Sequence, residues 1–325
     1  MDIGFFAAHE QYSPRSLLEY SQQAENAGFD TVWTSDHLHP WWHSGAHCGA
    51  AWPWMATAFE RTESVRIGTG VTPPIRRYHP GLIAQIFATL GNLYPGRVFC
   101  CLGTGEAMNE MPLGFDWPEY SERYGLLIDA CEIIRKLWEG GFNTHNGKYW
   151  QIDTMKLYTL PNEPIPLYIA GNGPSTAKVA GRYADGFLTT IDDIDEYRET
   201  LEPALEQGAA EADRDPSEIK RIKHLSVSYD TEFEKAYDGI ERWQGPVTIG
   251  FDNEIYDPRE IEREAKQRAR DNWDDWGLVT TDIDDIRSEI DRFDRAGFDE
   301  VELISASPDQ EKFIKDMGAS VLPEY

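Results

Sequence analysis

Three polar sites in the 325-residue chain each follow a short β-rich run: Glu10, two residues beyond the Ile3 to Ala7 run, Ser35-Asp36-His37 after Thr31 to Thr34, and Thr104-Gly105-Glu106 after Val98 to Gly103. Two acids and a His are the set that proton transfer near neutral pH requires. Imidazole titrates close to the working pH, and burial shifts the proton affinity of a carboxyl. Taken singly each cluster is weak, because an Asp-His pair after a strand is more often a hydrogen-bonded cap than a catalyst. Their force depends on a fold that brings them to one mouth.

Two further segments carry chemistry. His37, His39, His43 and His47 lie close together and invite a metal reading like the H-x-H of barrel hydrolases. The tandem Trp41-Trp42 between them fits a stacking wall for a flat ring or sugar better than a metal shell, and no later strand end supplies a further His. No metal is expected. The turn Ala170-Gly171-Asn172-Gly173 precedes Pro174 and a helical pattern starting at Ser175. Unpaired N–H groups at such a helix start can cradle a phosphate, although the same pattern also serves as a plain tight turn.

The elements that must position these residues alternate. Short β-rich runs at Ile3 to Ala7, Thr31 to Thr34, Arg66 to Val71, Val98 to Gly103, Leu167 to Gly171, Gly186 to Thr190, His224 to Tyr229 and Glu300 to Ser305 are separated by helical patterns. Eight strands joined by helices predict parallel βαβ crossovers closing into an α/β (β/α)8 TIM barrel, read as a single domain over 1–325. Active sites of such barrels lie at the C-terminal ends of the strands, where all three polar clusters stand. The tetrapeptide Ala27 to Asp30 recurs at Ala296 to Asp299, each time between a helix and a strand, which marks a repeated corner. Stretches of about 140–166 and 243–276 are too long for ordinary connections and read as insertions after strands 4 and 7.

Composition narrows the partners. Asp and Glu number 57 against 30 Lys and Arg, for a net charge of −27, and the acids are spread along the chain. Nucleic acid and anionic lipid are bound mainly by cations, so both are excluded as partners. Only ten of the basic residues are Lys, a balance that suits a salt-loving source. The opening MDIGFFAAHE shows neither a leader nor a spanning helix, which predicts a cytoplasmic protein. Cys48, Cys100, Cys101 and Cys131 form no C-x-x-C pair and read as buried thiols.

Taken together, these segments resemble the coenzyme F420-dependent branch of the luciferase-like superfamily, most closely its glucose-6-phosphate dehydrogenase group. The resemblance covers nearly the whole chain. It is carried by Glu10 to Arg15, Ser35-Asp36-His37 with Trp41, Glu60-Arg61-Thr62, Ile83 to Gln85, Phe87 to Thr89, Leu93-Tyr94-Pro95, and Gly103 to Ala107 with Asn109-Glu110. It implies a dehydrogenase that takes hydride from a small hydroxyl substrate to C5 of the deazaflavin, with His37 as the base for the hydroxyl proton. It further implies that Glu106 and Trp41 protonate the reduced ring and stabilise its charge, and that Glu10 tunes His37. Asp36, Gly70, Val71, Thr104, Gly105, Asn109 and Ala170 to Gly173 match the coenzyme-lining region, with the Gly70-Val71 bond cis. Relatives are commonly homodimers.

The departures bear on substrate. Relatives that oxidise sugar phosphates hold the phosphate with two Lys and an Arg, where this chain aligns Asp193, Asp252 and Asp275; Pro73 replaces a hydroxyl residue near the ring. A neutral hydroxyl compound such as glucose is therefore expected. Two alternatives stand beside it: glucose 6-phosphate oxidation proper, and a flavin monooxygenase of the same superfamily, which would not need His37 as a hydroxyl base.

Overall fold

A computed structural model of the chain describes residues 1–251 and 254–325. Its strands are β1 (Asp2–Ala7), β2 (Thr31–Thr34), β3 (Arg66–Thr69), β4 (Val98–Leu102), β5 (Asn143–Asn146), β6 (Gln151–Met155), β7 (Leu167–Ala170), β8 (Gly186–Thr189), β9 (Lys220–Tyr229), β10 (Leu278–Thr280) and β11 (Glu300–Ser305). All eight expected strands are present. Their C-terminal ends fall a residue or two early at β3, β4, β7 and β8; at the first three a glycine (Gly70, Gly103, Gly171) opens the turn that follows. β9 starts four residues before the expected His224. The short β10 and the hairpin strands β5 and β6 were not expected.

The residues divide into two compact units. In the first (1–65, 106–112 and 222–325) the strands run in the order β2-β1-β11-β9-β10, all parallel. In the second (66–105 and 113–221) β3, β4, β7 and β8 pair in that order, also parallel, and β5 and β6 form an antiparallel hairpin within the expected first insertion. Setting aside the hairpin and β10, each unit contributes four parallel strands, the eight of the (β/α)8 class. The eight strands are mostly buried, as parallel strands covered on both faces are. Ile3, Val32, Val301 and Leu303 in the first unit, and Ile67, Leu102, Leu167 and Ile169 in the second, are fully buried.

The repeated tetrapeptide builds the same corner twice. Gly28 ends the helix Pro14–Ala27 at φ 105°, and Gly297 ends the helix Ile283–Ala296 at φ 92°, both left-handed conformations that cost an L side chain energy but not glycine. The N–H of Phe29 donates to the Ala24 carbonyl, and that of Phe298 to the Phe293 carbonyl. Each chain then enters a strand that pairs with β1, so the two copies flank the strand carrying Glu10 at its end.

Cys100, Cys101 and Cys131 are buried as expected, but Cys48 is only half-buried and its Sγ–H donates to the His37 carbonyl at 3.3 Å. It lies in a loop rather than a strand, so no neighbouring layer covers it. Among the described residues no helix is long and apolar enough to cross a membrane.

The second insertion forms the helices Gln244–Ile249 and Pro258–Ala265. Glu262 of the latter fastens the loop after β2: it accepts the N–H of His43 at 3.0 Å and both the N–H and O–H of Ser44 at 2.7 Å, and pairs with Lys266. Burial alone would raise its carboxyl, but Lys266 and Ser44 outweigh that and hold it down at about 2. A depressed folded-state pKa contributes stability above the ordinary value of 4.5 that is lost as pH falls toward 2. Glu262→Gln should therefore cost about 2 kcal/mol at neutral pH, a Tm loss of roughly 4 °C in a chain of this size. In urea melts from pH 7 to pH 3 the gap between variant and wild type should narrow; a gap independent of pH would refute the charge-based clamp.

Candidate active site

The first unit brings Glu10, His37 and Glu106 onto one nitrogen. His37 Nε2 lies 3.4 Å from Glu10 Oε1 and 3.2 Å from Glu106 Oε2. Its other ring nitrogen, Nδ1, stands 3.2 Å from the His39 carbonyl oxygen. A carbonyl only accepts, so Nδ1 carries a proton, and in the neutral ring Nε2 presents its lone pair. The His37 side chain is 13% exposed, enough for a small reactant to reach the ring.

Each partner is held in turn. The Ser35 hydroxyl donates to Glu10 Oε2 at 2.6 Å while accepting the His9 N–H at 2.9 Å, which ties the segment after β2 to the segment after β1. Glu106 precedes the short helix Ala107–Glu110, and its Oε2 accepts from Asn109 Nδ2 at 3.0 Å. Asn109 Oδ1 accepts the Leu38 N–H at 2.7 Å. The path His37, Glu106, Asn109, Leu38 thus returns to the residue next to His37, so neither the imidazole nor the second carboxylate can swing without breaking the ring. Hydrogen bonds to charged groups of this kind contribute about 1.5–3 kcal/mol each.

Trp41 is buried and tilts against the imidazole, ring centroids 5.8 Å apart, with Phe251 edge-on behind it at 5.7 Å. Asp36 is buried as well. Of the other histidines in that segment, the ring of His39 meets the Tyr256 carbonyl at 3.3 Å, and the backbone N–H of His43 donates to Glu262. Among the described residues no group of three or more His, Cys, Asp or Glu is placed to hold a metal ion.

His9 has no role in the sequence reading. It is fully buried, edge-on to Trp54 at 5.0 Å, with neither ring nitrogen hydrogen-bonded among the described residues. Burial pushes it down to about 4, with His37 adding to that and Glu10 opposing it, so it is neutral at working pH. The signal available was position alone, since it immediately precedes Glu10.

Gly70, Val71, Thr104, Gly105 and the Ala170 to Gly173 turn belong to the second unit. The Gly70-Val71 peptide is cis. Gly105 adopts φ 72°, and an added Cβ would meet Ile75 and Pro73 at 3.1 Å, so only glycine fits. Gly173 opens the helix Pro174–Tyr183 with no side-chain cap and open space where a Cβ would stand. A helix start of this kind leaves backbone N–H groups without intrahelical partners. Asn172 does not face it: its side chain is spent on Thr189 and Thr190.

The three acids aligned with the phosphate-binding positions differ. Asp193 is exposed and caps the helix after β8, accepting the N–H groups of Asp195 and Glu196. Asp275 pairs with Arg268. Asp252 lies outside the described residues. Being exposed, the Asp193 carboxylate would repel a phosphate less than a buried one, because salt screens it.

Residues 1–300 match the model of the luciferase-like monooxygenase family. The chain is 39% identical over 324 residues to a protein of Microbacterium testaceum named F420-dependent glucose-6-phosphate dehydrogenase, covering 99% of this chain and 96% of that one. A protein of the same name from Beutenbergia cavernae is 40% identical over 328 residues, with the same coverage. Among solved structures, an F420-dependent secondary alcohol dehydrogenase in complex with an F420-acetone adduct superposes with a TM-score of 0.93 at 38% identity, over 98% of each chain. The coenzyme F420 dependent tetrahydromethanopterin reductase of Methanopyrus kandleri shares the fold at a TM-score of 0.79 and 22% identity, over 100% of this chain and 99% of that one. The carboxylate-flanked imidazole at the strand ends thus sits in a (β/α)8 chain that belongs to the luciferase-like family.

Proposed function

We propose that the protein is a coenzyme F420-dependent dehydrogenase that oxidises a hydroxyl group of an uncharged substrate, a sugar or an alcohol. The observation that carries this is His37 Nε2 held between two carboxylates beside Trp41. A proton base at a strand end is what alcohol oxidation needs, and full-length similarity to proteins named as F420-dependent dehydrogenases supports the coenzyme over a flavin. When bound, the deazaflavin supplies the hydride acceptor. The glycine cradle at Gly173 and the glycine-only position at Gly105 suit a bulky anionic coenzyme, and we assign Asp36, Gly70, Val71, Thr104, Gly105, Asn109, Ala170, Gly171 and Gly173 to its recognition.

The chain's own part is proton handling. Nδ1 of His37 is already committed to the His39 carbonyl, so the substrate proton goes to Nε2. The imidazolium so formed has Glu10 and Glu106 at 3.4 and 3.2 Å, and their charge favours it over the neutral ring. Trp41 keeps bulk water from one side of that nitrogen and thereby strengthens both attractions.

His37→Ala should keep coenzyme binding and lose about 100-fold or more in kcat, the usual size of a general-base contribution. Activity close to wild type would eliminate the base. Glu106→Gln should lower kcat more than it weakens coenzyme affinity, measured by fluorescence titration, because its oxygen faces the imidazole; the reverse pattern would make Glu106 a binding group instead.

Neutral substrate charge rests on Asp193, the acid at the firmest of the aligned phosphate positions; Asp275 is paired with Arg268. Glucose should exceed glucose 6-phosphate in kcat/KM at low salt, with the margin narrowing at high salt as the exposed Asp193 is screened. A preference for the phosphate ester at both salt levels would reverse this reading.

A further inference from the structure

The helix Pro80–Leu93, in the second unit, carries no charged residue, whereas every other described helix of ten or more residues carries at least one. It lies inside residues 64–105, a run free of Asp and Glu in a chain that holds 57 of them. An uncharged helix is usually an enclosed one. This one is not: Leu82 and Leu93 are 53% and 60% exposed, and Gln85 and Thr89 stand in solvent between them. Its opposite face, with Ile83, Ala84, Phe87 and Ala88, is fully buried. The Thr89 hydroxyl donates to the Gln85 carbonyl at 2.8 Å, so its proton is satisfied within the helix.

Spacing adds to charge. Leu82, half-buried Ile86, Thr89 and Leu93 follow one another at steps of four, three and four residues, the seam of two packed helices. The steps read the same in both directions. A second copy laid antiparallel across the helix, with a twofold axis passing between Phe87 and Ala88, sets Leu82 against the partner's Leu93 and Ile86 against the partner's Thr89, as an isologous contact requires. We propose that a second copy of this chain covers the face in this register. Charge selects that occupant. Two molecules of net charge −27 repel over most of their surfaces and approach closely only where acids are missing from both. The helix alone is too narrow for a specific dimer, which buries about 800 Å² per copy. The segment beside it widens the face: Met155 and Pro161 lie against Gly81 and Gly91, and the Leu160 carbonyl accepts from Asn92 Nδ2 at 3.1 Å. Tyr158 and Leu160 of that segment are exposed, and residues 141–161 hold one acid, Asp153, against Lys148 and Lys156. The family resemblance implies two copies without saying where they meet; the register follows from charge and spacing on this helix.

The test is the mass in solution, by light scattering on a sizing column at micromolar concentration, with circular dichroism to confirm folding of each variant. Wild type should be a dimer. Its Kd should fall as NaCl rises from about 0.1 M to about 1 M, because the Debye length shrinks from about 10 Å to about 3 Å and the repulsion between the acidic bodies fades while the apolar contact stays. Leu82→Glu and Leu93→Lys should each weaken the dimer by about 100-fold or more, since each puts two unpaired charges into the contact. The double variant Leu82→Glu/Leu93→Lys sets opposite charges against each other across the axis and should return to within about 10-fold of wild type. Phe233→Glu, at an exposed apolar residue of the first unit, should leave the dimer intact. Thr89→Lys brings two like charges together near the axis and serves if either Leu variant does not fold. A wild-type monomer at both salt levels, or a dimer that loosens with salt, overturns the proposal. So does a folded Leu82→Glu or Leu93→Lys that dimerises like wild type, or loss of the dimer in Phe233→Glu. A double variant that folds but stays monomeric overturns the antiparallel register.

Discussion

Two carboxylates converging on one imidazole nitrogen set the terms for everything around them. Unit charges of like sign about 4 Å apart repel by about 4 kcal/mol at an effective dielectric near 20, and less water makes it worse. Glu10 and Glu106 therefore repel across the neutral ring, and the positive charge that forms when Nε2 takes a proton offsets that repulsion. The site is stable in the form that has taken a proton and reactive in the form that has not. Such an arrangement relaxes readily, since either carboxylate would turn to solvent if its own supports were removed. Ser35 and Asn109 are those supports.

The same constraint accounts for His9. An imidazole packed beside Glu10 would compete with His37 for the proton if it were as basic. Complete burial against Trp54 removes that competition by pushing it to about 4. Leaving two ring nitrogens without partners is costly, yet it leaves His37 as the basic imidazole at Glu10. Strain or unmet polarity at an active centre is commonly offset by the surrounding fold.

Much of this was legible in the sequence, for identifiable reasons. Parallel strands are read as continuous apolar runs, so all eight were located. Their ends were less sharp, because Gly70, Gly103 and Gly171 belong equally to a strand pattern and to the turn that stops it. The acids and His37 were legible because strand-terminal polar residues after apolar runs have few structural duties. Asp193 was legible as a charge but not as a cap. Its side chain serves two backbone N–H groups, a local duty that exposure makes compatible with almost any neighbour.

A second His–carboxylate pair in the same unit shows what distinguishes the first. His224 Nδ1 lies 2.5 Å from Glu302 Oε2, the two facing each other across the β9–β11 ladder. Burial pushes the Glu302 carboxyl up, and Glu300 adds to this while His224 and Lys223 oppose it. Glu300 is occupied by the Thr31 hydroxyl and the Trp33 indole N–H. Both backbones are fixed by strand pairing, and His224 faces one carboxylate rather than two, so this pair answers a requirement of the core: a buried ionisable group must find a partner. At His37 the imidazole stands beyond the strand end, its Nδ1 proton is committed to a carbonyl, and two acceptors surround the nitrogen that remains. Residue type is shared between the two sites. What makes one of them a proton acceptor is that the loops after β1, β2 and β4 place a second negative charge where a strand ladder has no room for it.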